Sequence, residues 1–227
     1  MTTTIQAPPL IRTTIGKKVL VAVTGIIGIL FIFGHMIGNL KVFLGPKEIN
    51  RYGEWLRDLG EPAAPRSVVL WMVRCVLILA VVVHITTTMQ LAARSKASRQ
   101  NGYGEHNMVQ ASYASCTMRW GGVFIALFIV FHLMDLTWGA FPDFQRGDVY
   151  GNVVHSFNRW PVTIIYLLAM VALAMHLYHG TWSTFQTLGV NRARWDRTIR
   201  RFALLLAVVI PAGFAAVPIG VITGIVS

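Results

Sequence analysis

The sequence predicts an all-α membrane protein, a five-transmembrane-helix bundle with its N-terminus cytoplasmic. Three observations carry this. Apolar residues make up 55% of the 227 and charged residues only 13%, whereas a soluble domain carries about 25% charged residues. The apolar residues come in five long blocks, and blocks of about eighteen or more with few charges read as bilayer spans. The basic residues that produce the net charge of +11 sit in short loops between those blocks. That placement speaks of membrane orientation rather than nucleic-acid binding.

Residues 1–227 read as one membrane domain with spans near 17–43, 67–92, 119–140, 160–188 and 201–226. Span I runs from Lys17 to Phe43 and is closed by Gly45-Pro46. Met1–Leu10 has no charged stretch ahead of an apolar run, so this first block reads as a retained span and not a signal peptide. Span II runs from Ser67 to Ala92, just after Pro65. Span III runs from Arg119 to Ala140 and is closed by Pro142. Span IV runs from Trp160 to Leu188, with Pro161 suited to a first turn and Gly189 to the position after the C-cap. Span V runs from Arg201 to Val226, and its Pro211 and Pro218 are expected to kink it. The segment Lys47–Pro65 is amphipathic, with Ile49, Tyr52, Trp55, Leu56 and Leu59 against Arg51, Glu54, Arg57 and Asp58. It fits an interfacial helix and an ordinary polar loop equally well.

The loops give the orientation. The N-terminus, Arg94–Arg119 and Arg192–Arg201 hold twelve Lys/Arg against two acids, Glu105 and Asp196. The opposite loops hold eight Lys/Arg against six acids. The first set is cytoplasmic by the positive-inside rule. Cys75 and Cys116 then fall near opposite faces on different helices and are expected to be free thiols. There is no CxxCH or CxxC, so neither covalent haem attachment nor a cysteine metal site is signalled.

Of seven histidines, His106 and His155 fall in loops. His35, His84, His132, His176 and His179 fall in spans I to IV, where an ionisable group is costly and calls for a reason. For a single histidine an interhelical hydrogen bond is reason enough. Histidines in four spans, sorted by depth, are a different matter. At about 1.5 Å per residue, His35 lies about 27 Å and His132 about 20 Å from the inner end. His84 lies about 12 Å, His176 about 18 Å and His179 about 13 Å from it. An outer pair, His35 and His132, is thus separated from an inner pair, His84 with His176 or His179. Two imidazoles at one level on facing helices are what bis-histidine haem ligation requires. Two such pairs imply two stacked haems and an electron path through the bilayer. A binuclear metal site would need three or more ligands at one level, usually with carboxylates. The lone acid within a span, Asp135, is expected to hydrogen-bond locally. Gly25, Gly28, Gly34, Gly38, Gly121, Gly122 and Gly180 allow close helix packing and, equally, room for a flat ring.

This pattern resembles the single-chain, five-helix, two-haem cytochrome b subunit of succinate dehydrogenase (succinate:quinone oxidoreductase) and fumarate reductase. The resemblance rests on Thr14-Ile15-Gly16-Lys17-Lys18, on Gly34-His35-Met36-Ile37-Gly38-Asn39-Leu40, on His84, on Phe131-His132-Leu133 and on His176-Leu177-Tyr178-His179-Gly180-Thr181-Trp182. The near-even gaps between His35, His84, His132 and His176 add to it. It implies an electron-transferring membrane anchor in the cytoplasmic membrane, with two haem b as cofactors and a membrane quinone, menaquinone or ubiquinone, as substrate. It implies flavoprotein and iron–sulfur partner subunits on the cytoplasmic face, and allows a higher oligomer of the complex. Metal-ligating residues would be His35 and His132 for the outer haem iron, His84 and His176 for the inner. His179 is left to contact a propionate or quinone. Some family members carry an acid beside the span IV ligand, and this chain has none, which weakens proton coupling by that route. Ser183, His179 or Arg119 are candidates for an inner quinone site, and Glu54 or Asp58 for an outer one. The competing readings are a di-haem anchor of another respiratory dehydrogenase, of the hydrogenase or formate dehydrogenase type, and a haem-free transporter.

Overall fold

The computed structural model describes residues 12–98, 110–190 and 192–227, with the side chains of 110–117 left out. Met1–Leu10, Glu105, His106 and the side chain of Cys116, named above, lie outside the described residues. Among these residues the chain is helical throughout, with no strand. The elements are α1 (Thr14–Leu40), a 3₁₀ turn (Lys41–Leu44), α2 (Pro46–Asp58), α3 (Val68–Ala97), α4 (Gln110–Leu133) running into a π turn (Met134–Trp138), α5 (Val149–Phe157), α6 (Trp160–Thr187) and α7 (Ala193–Ile222).

Five of these helices, α1, α3, α4, α6 and α7, are long and apolar enough to cross a membrane. The 27 residues of α1 alone span about 40 Å, more than the hydrocarbon core. Their outward faces carry large apolar side chains that the rest of the protein leaves largely uncovered: Leu30 is 68% exposed, Leu79 65% and Leu127 66%. Such faces are untenable in water and ordinary in lipid.

Local chemistry sets the ends. The Thr13 hydroxyl accepts from the Gly16 amide and caps α1. Pro161 sits in the first turn of α6. At the other end of α6, Val190 N–H donates to Phe185 and Gly189 N–H to Gln186, with Gly189 at φ +81°, a Schellman closure. Pro211 and Pro218 are both buried within α7, which continues through them.

Helix boundaries in basic segments differ from the sequence reading, and the segment left open between helix and loop is resolved. Helix α7 starts at Ala193, eight residues earlier than expected, because Trp195, Ile199 and the i,i+4 pair Asp196–Arg200 carry a basic segment on as helix. Helix α3 runs on to Ala97, since Leu91, Ala92, Ala93 and Arg94 are strong helix formers. The segment after Gly45 is a helix, α2, with Pro46 in its first turn. Helix α5 was not anticipated in what read as a loop.

Helices α1, α6 and α7 pack on one another to form the centre of the bundle. Close approach there uses small residues: Ala203 and Ala207 are buried on α7, and Gly213 and Gly220 face Met36 and Phe43. Helix α3 packs on α1, and α4 packs on α6. Neither α3 with α6 nor α1 with α4 forms an extensive contact among the described residues. Two gaps are therefore left beside the central three helices.

The end opposite the basic loops is covered by α2 and α5. Ile49, Val153 and Phe157 join Val162, Val217 and Val221 in one buried cluster. Asn50 clamps the two caps together: its amide nitrogen donates to Asp148 and its oxygen accepts from the Tyr150 N–H, both at 3.0 Å. Asp148 also caps α5 by accepting from the Gly151 N–H at 3.0 Å. These donors, the Gly151 amide first, hold the Asp148 carboxyl below its ordinary 3.8.

Two tests follow from this architecture. Asp148→Ala removes an N-cap and an interhelical tie, so it should lower stability by about 1 kcal/mol at pH 7. Because the folded-state value is depressed, the ionised group stabilises above the ordinary carboxylate range and loses its effect as pH falls through the folded value. Thermal unfolding of wild type and variant should thus differ at pH 7 and converge in acid; an equal gap at both would contradict the cap. In a Cys75→Ser, Cys116→Ser background, Ser98→Cys should react with an impermeant maleimide from the cytoplasmic side alone, and Asp143→Cys from the other side alone. The reverse labelling pattern would invert the orientation.

Candidate cofactor site: two histidine pairs

The outer pair is His35 of α1 and His132 of α4, their ring centroids 5.9 Å apart and their planes at 76°. His35 is held by a near-parallel stack on Phe31 at 5.3 Å and by Phe214 of α7 at 5.7 Å. One turn on, the Asn39 amide donates to the His35 carbonyl at 2.8 Å. His132 sits against Phe128 and Tyr166, and its Nδ1 lies 3.2 Å from the Tyr166 hydroxyl. It is followed by the π turn, a helix irregularity that frequently marks functional sites.

The inner pair is His84 of α3 and His176 of α6, with centroids 6.3 Å apart and planes at 59°. The His84 Nδ1 lies 3.0 Å from the Thr24 hydroxyl. The His176 Nδ1 is buried with no hydrogen-bond partner among the described residues, a cost of about 1–3 kcal/mol unless a bound group relieves it. Both rings lie against glycine. A Cβ at Gly25 would stand 3.6 Å from His84, and one at Gly122 would stand 3.7 Å from His176. Gly38, by contrast, is a packing glycine, since a Cβ there would meet the Tyr52 ring of α2 at 2.8 Å.

Both pairs bridge the gaps that helix packing leaves open: α1 to α4 for the outer pair, α3 to α6 for the inner. The separation of the levels can be read on three helices. Gly25 to His35, Gly122 to His132 and Tyr166 to His176 are each ten residues, about 15 Å of helix.

Within α6, the ring nearest His84 is that of His176. His84 faces His176, while the His179 ring packs against Tyr178. Depth arithmetic set His84 nearer His179 because it ended α3 at Ala92. Counted from the observed end at Ala97, His84 is about 20 Å deep, against about 17 Å for His176 and about 12 Å for His179.

Two opposed imidazoles on one metal, each about 2 Å from it, would hold their ring centres roughly 6.3 Å apart. The inner pair has that spacing and the outer pair is within a few tenths of it. Among the described residues no group of three or more His, Cys, Asp or Glu gathers as a metal site. The pairs therefore suit a metal that brings its own equatorial ligands, as a porphyrin does. The outer pair opens on a cavity of about 480 Å³ that is also lined by Asn39, Arg57, Arg74 and Arg146. Three guanidinium groups at one mouth suit the carboxylates of an anionic cofactor.

The remaining candidates are dispersed. Glu54 and Asp58 are in ion pairs, Glu54 with Arg57 and Arg66, and Asp58 with Arg66. The Asp58 and Glu54 carboxylates raise the Arg66 guanidinium above its ordinary value. Both acids thus fasten the start of α3 to α2. Ser183 and Arg119 are exposed, and His179 is half-buried. Sequence reasoning missed the oxygen groups behind the histidines. Asp135, expected to bond locally, reaches across to Tyr166 and Ser156 and to Arg159, 2.5 Å away. The signal for Thr24 and Tyr166 was weak, since neither stands at a fixed offset from a histidine on its own helix.

A family model described as succinate dehydrogenase/fumarate reductase transmembrane subunit matches residues 93–215. The match takes in α4, α6 and most of α7, and so one histidine of each pair. No curated protein and no solved structure matches the chain. With more than half its length matched over the helices that carry His132 and His176, the chain belongs to the succinate dehydrogenase/fumarate reductase transmembrane subunit family.

Proposed function

We propose that this chain is the electron-carrying membrane anchor of a succinate:quinone oxidoreductase, a single di-haem cytochrome b domain in the cytoplasmic membrane. His35 and His132 would hold the outer haem b, and His84 and His176 the inner. The observation that carries the reading is the spacing of the two imidazole pairs, 5.9 and 6.3 Å, across gaps where the helices do not pack. Each haem, when bound, supplies a one-electron iron couple.

The chain's own residues do the rest. The imidazoles present neutral nitrogens within an apolar bundle. Phe31, Phe128 and Phe214 pack against the outer rings. Gly25 and Gly122 lie against the inner rings, and Arg57, Arg74 and Arg146 would meet the carboxylates of a bound haem at the outer cavity. The levels lie about 15 Å apart along the helices, so an electron entering at the basic face has two stations across the bilayer. Flavoprotein and iron–sulfur subunits would dock on that basic face, which carries Arg94 near the end of α3 and Arg194, Arg197, Arg200 and Arg201 in the first turns of α7. Membrane quinone is the electron acceptor. His179, half-buried one turn below His176, is the residue best placed to touch a propionate or quinone on the inner side.

Single-site variants test the ligand scheme. His84→Ala should abolish one b-type spectral component and keep the other, and His35→Ala should do the converse. Loss of both components in each variant, or of neither, would contradict two independent sites. Gly122→Val adds bulk against His176, so it should lower inner haem content several-fold and spare the outer. Equal loss of both would mean that the glycine serves folding.

A further inference from the structure

Behind His132 lies a chain of buried oxygen groups that the ligand scheme does not use. Asp135 is 4% exposed. Its carboxylate accepts from Arg159 at 2.5 Å and from the Ser156 hydroxyl. It also accepts from the Tyr166 hydroxyl at 3.1 Å. An ionised carboxylate can only accept, and a phenol has one proton to give. The Tyr166 proton is therefore committed to Asp135. What the Tyr166 oxygen offers His132, 3.2 Å away, is a lone pair. His132 must then carry its proton on Nδ1, which leaves the Nε2 lone pair free.

The same logic holds at His84. The Thr24 hydroxyl gives its one proton to the backbone carbonyls of Leu20 and Val21, at 2.7 and 3.1 Å. It can only accept from His84 Nδ1. The two anchors differ in charge: a neutral hydroxyl stands behind His84, and a phenol backed by a carboxylate stands behind His132.

We infer that Tyr166 and Asp135 are the positioning pair of the outer site, holding His132 as its Nδ1–H tautomer with Nε2 turned to His35 and lending its ring electron density. Given the haem reading above, that density strengthens His132 as a ligand and favours the oxidised iron. Arg159 and Ser156 keep the Asp135 carboxylate in place. Arg159 stacks over Phe141 at 5.0 Å, so the network also ties the α4 turn to α5 and α6.

The test uses the full chain, labelled with ¹⁵N-histidine, in lipid nanodiscs, with a His132→Gln sample to assign the resonance. Wild type should show His132 protonated at Nδ1. Tyr166→Phe should lose that bias while His84 keeps its own. In haem-loaded protein, Tyr166→Phe should shift the oxidation equilibrium of one component about tenfold toward reduction, about 59 mV for a one-electron couple, and leave the other in place. A purely structural role for Tyr166 would move neither the tautomer nor a single midpoint. Should Tyr166→Phe fail to fold, the near-isosteric Asp135→Asn should raise the same midpoint, and an unmoved midpoint there would overturn the inference. So would His132 protonated at Nε2 in wild type. A folded chain that takes up no haem yet keeps His132 protonated at Nδ1 would sink the proposed function and leave the positioning pair standing.

Discussion

Facing imidazoles across two unpacked gaps are the constraint on which the rest of this structure depends. A helix bundle in lipid gains stability from close contact between small residues, and α1, α6 and α7 take that course through Ala203, Ala207 and Gly213. Helices α3 and α4 do not complete it. Each leans on one central helix and meets the other through a histidine pair. Four ionisable rings in an apolar interior are costly, and one of them, His176, has a buried nitrogen with no partner among the described residues. A bundle selected only to span lipid would fill those gaps with leucine. Rings that a shared metal would join account for both the gaps and the cost.

The two levels are supported differently. The outer level lies under a lid of α2 and α5, clamped by Asn50 and Asp148 and fastened to α3 through Arg66. It opens on an arginine-lined cavity and is backed by the buried Asp135–Arg159 pair. The inner level has glycines against both rings, a threonine behind one, and an aromatic and charged clasp below: Trp182 and Arg200 both bond Asp196, tying α6 to α7. A phenol backed by a carboxylate thus stands behind one outer histidine, and a neutral hydroxyl behind one inner histidine. Such a difference gives a protein two separate means of tuning otherwise similar ligand pairs.

Much of this was legible in the sequence because bilayers impose strong rules. Apolar blocks of fixed length gave the five spans, and the positions of His35, His84, His132 and His176 on alternating spans gave two levels. Punctuation was legible where one residue type has one use, as at Pro161, Gly189 and Gly45. Boundaries in basic segments were not. Arginine with tryptophan, as in Arg194–Arg200, reads as loop by charge yet continues a helix whose side chains reach the interface. The same kind of error at Ala92 displaced His84 by a turn and blurred the choice between His176 and His179. Helix α5 is short, and its cap Asp148 was counted only as a loop acid. The polar support of the histidines was hidden for a deeper reason. Tyr166 lies 34 residues from His132, and Thr24 lies 60 from His84; contacts at such separations are set by helix rotation, which one sequence does not encode in any local pattern.

The measurement that bears most directly on the central claim is haem content per chain. The intact chain would be purified with its membrane complex and assayed by pyridine haemochrome alongside a dithionite-reduced minus oxidised spectrum. Two b-type haems per chain, as two spectral components, is the predicted result. A well-folded preparation with none would contradict it, and the paired histidines would then have to serve a proton or substrate path.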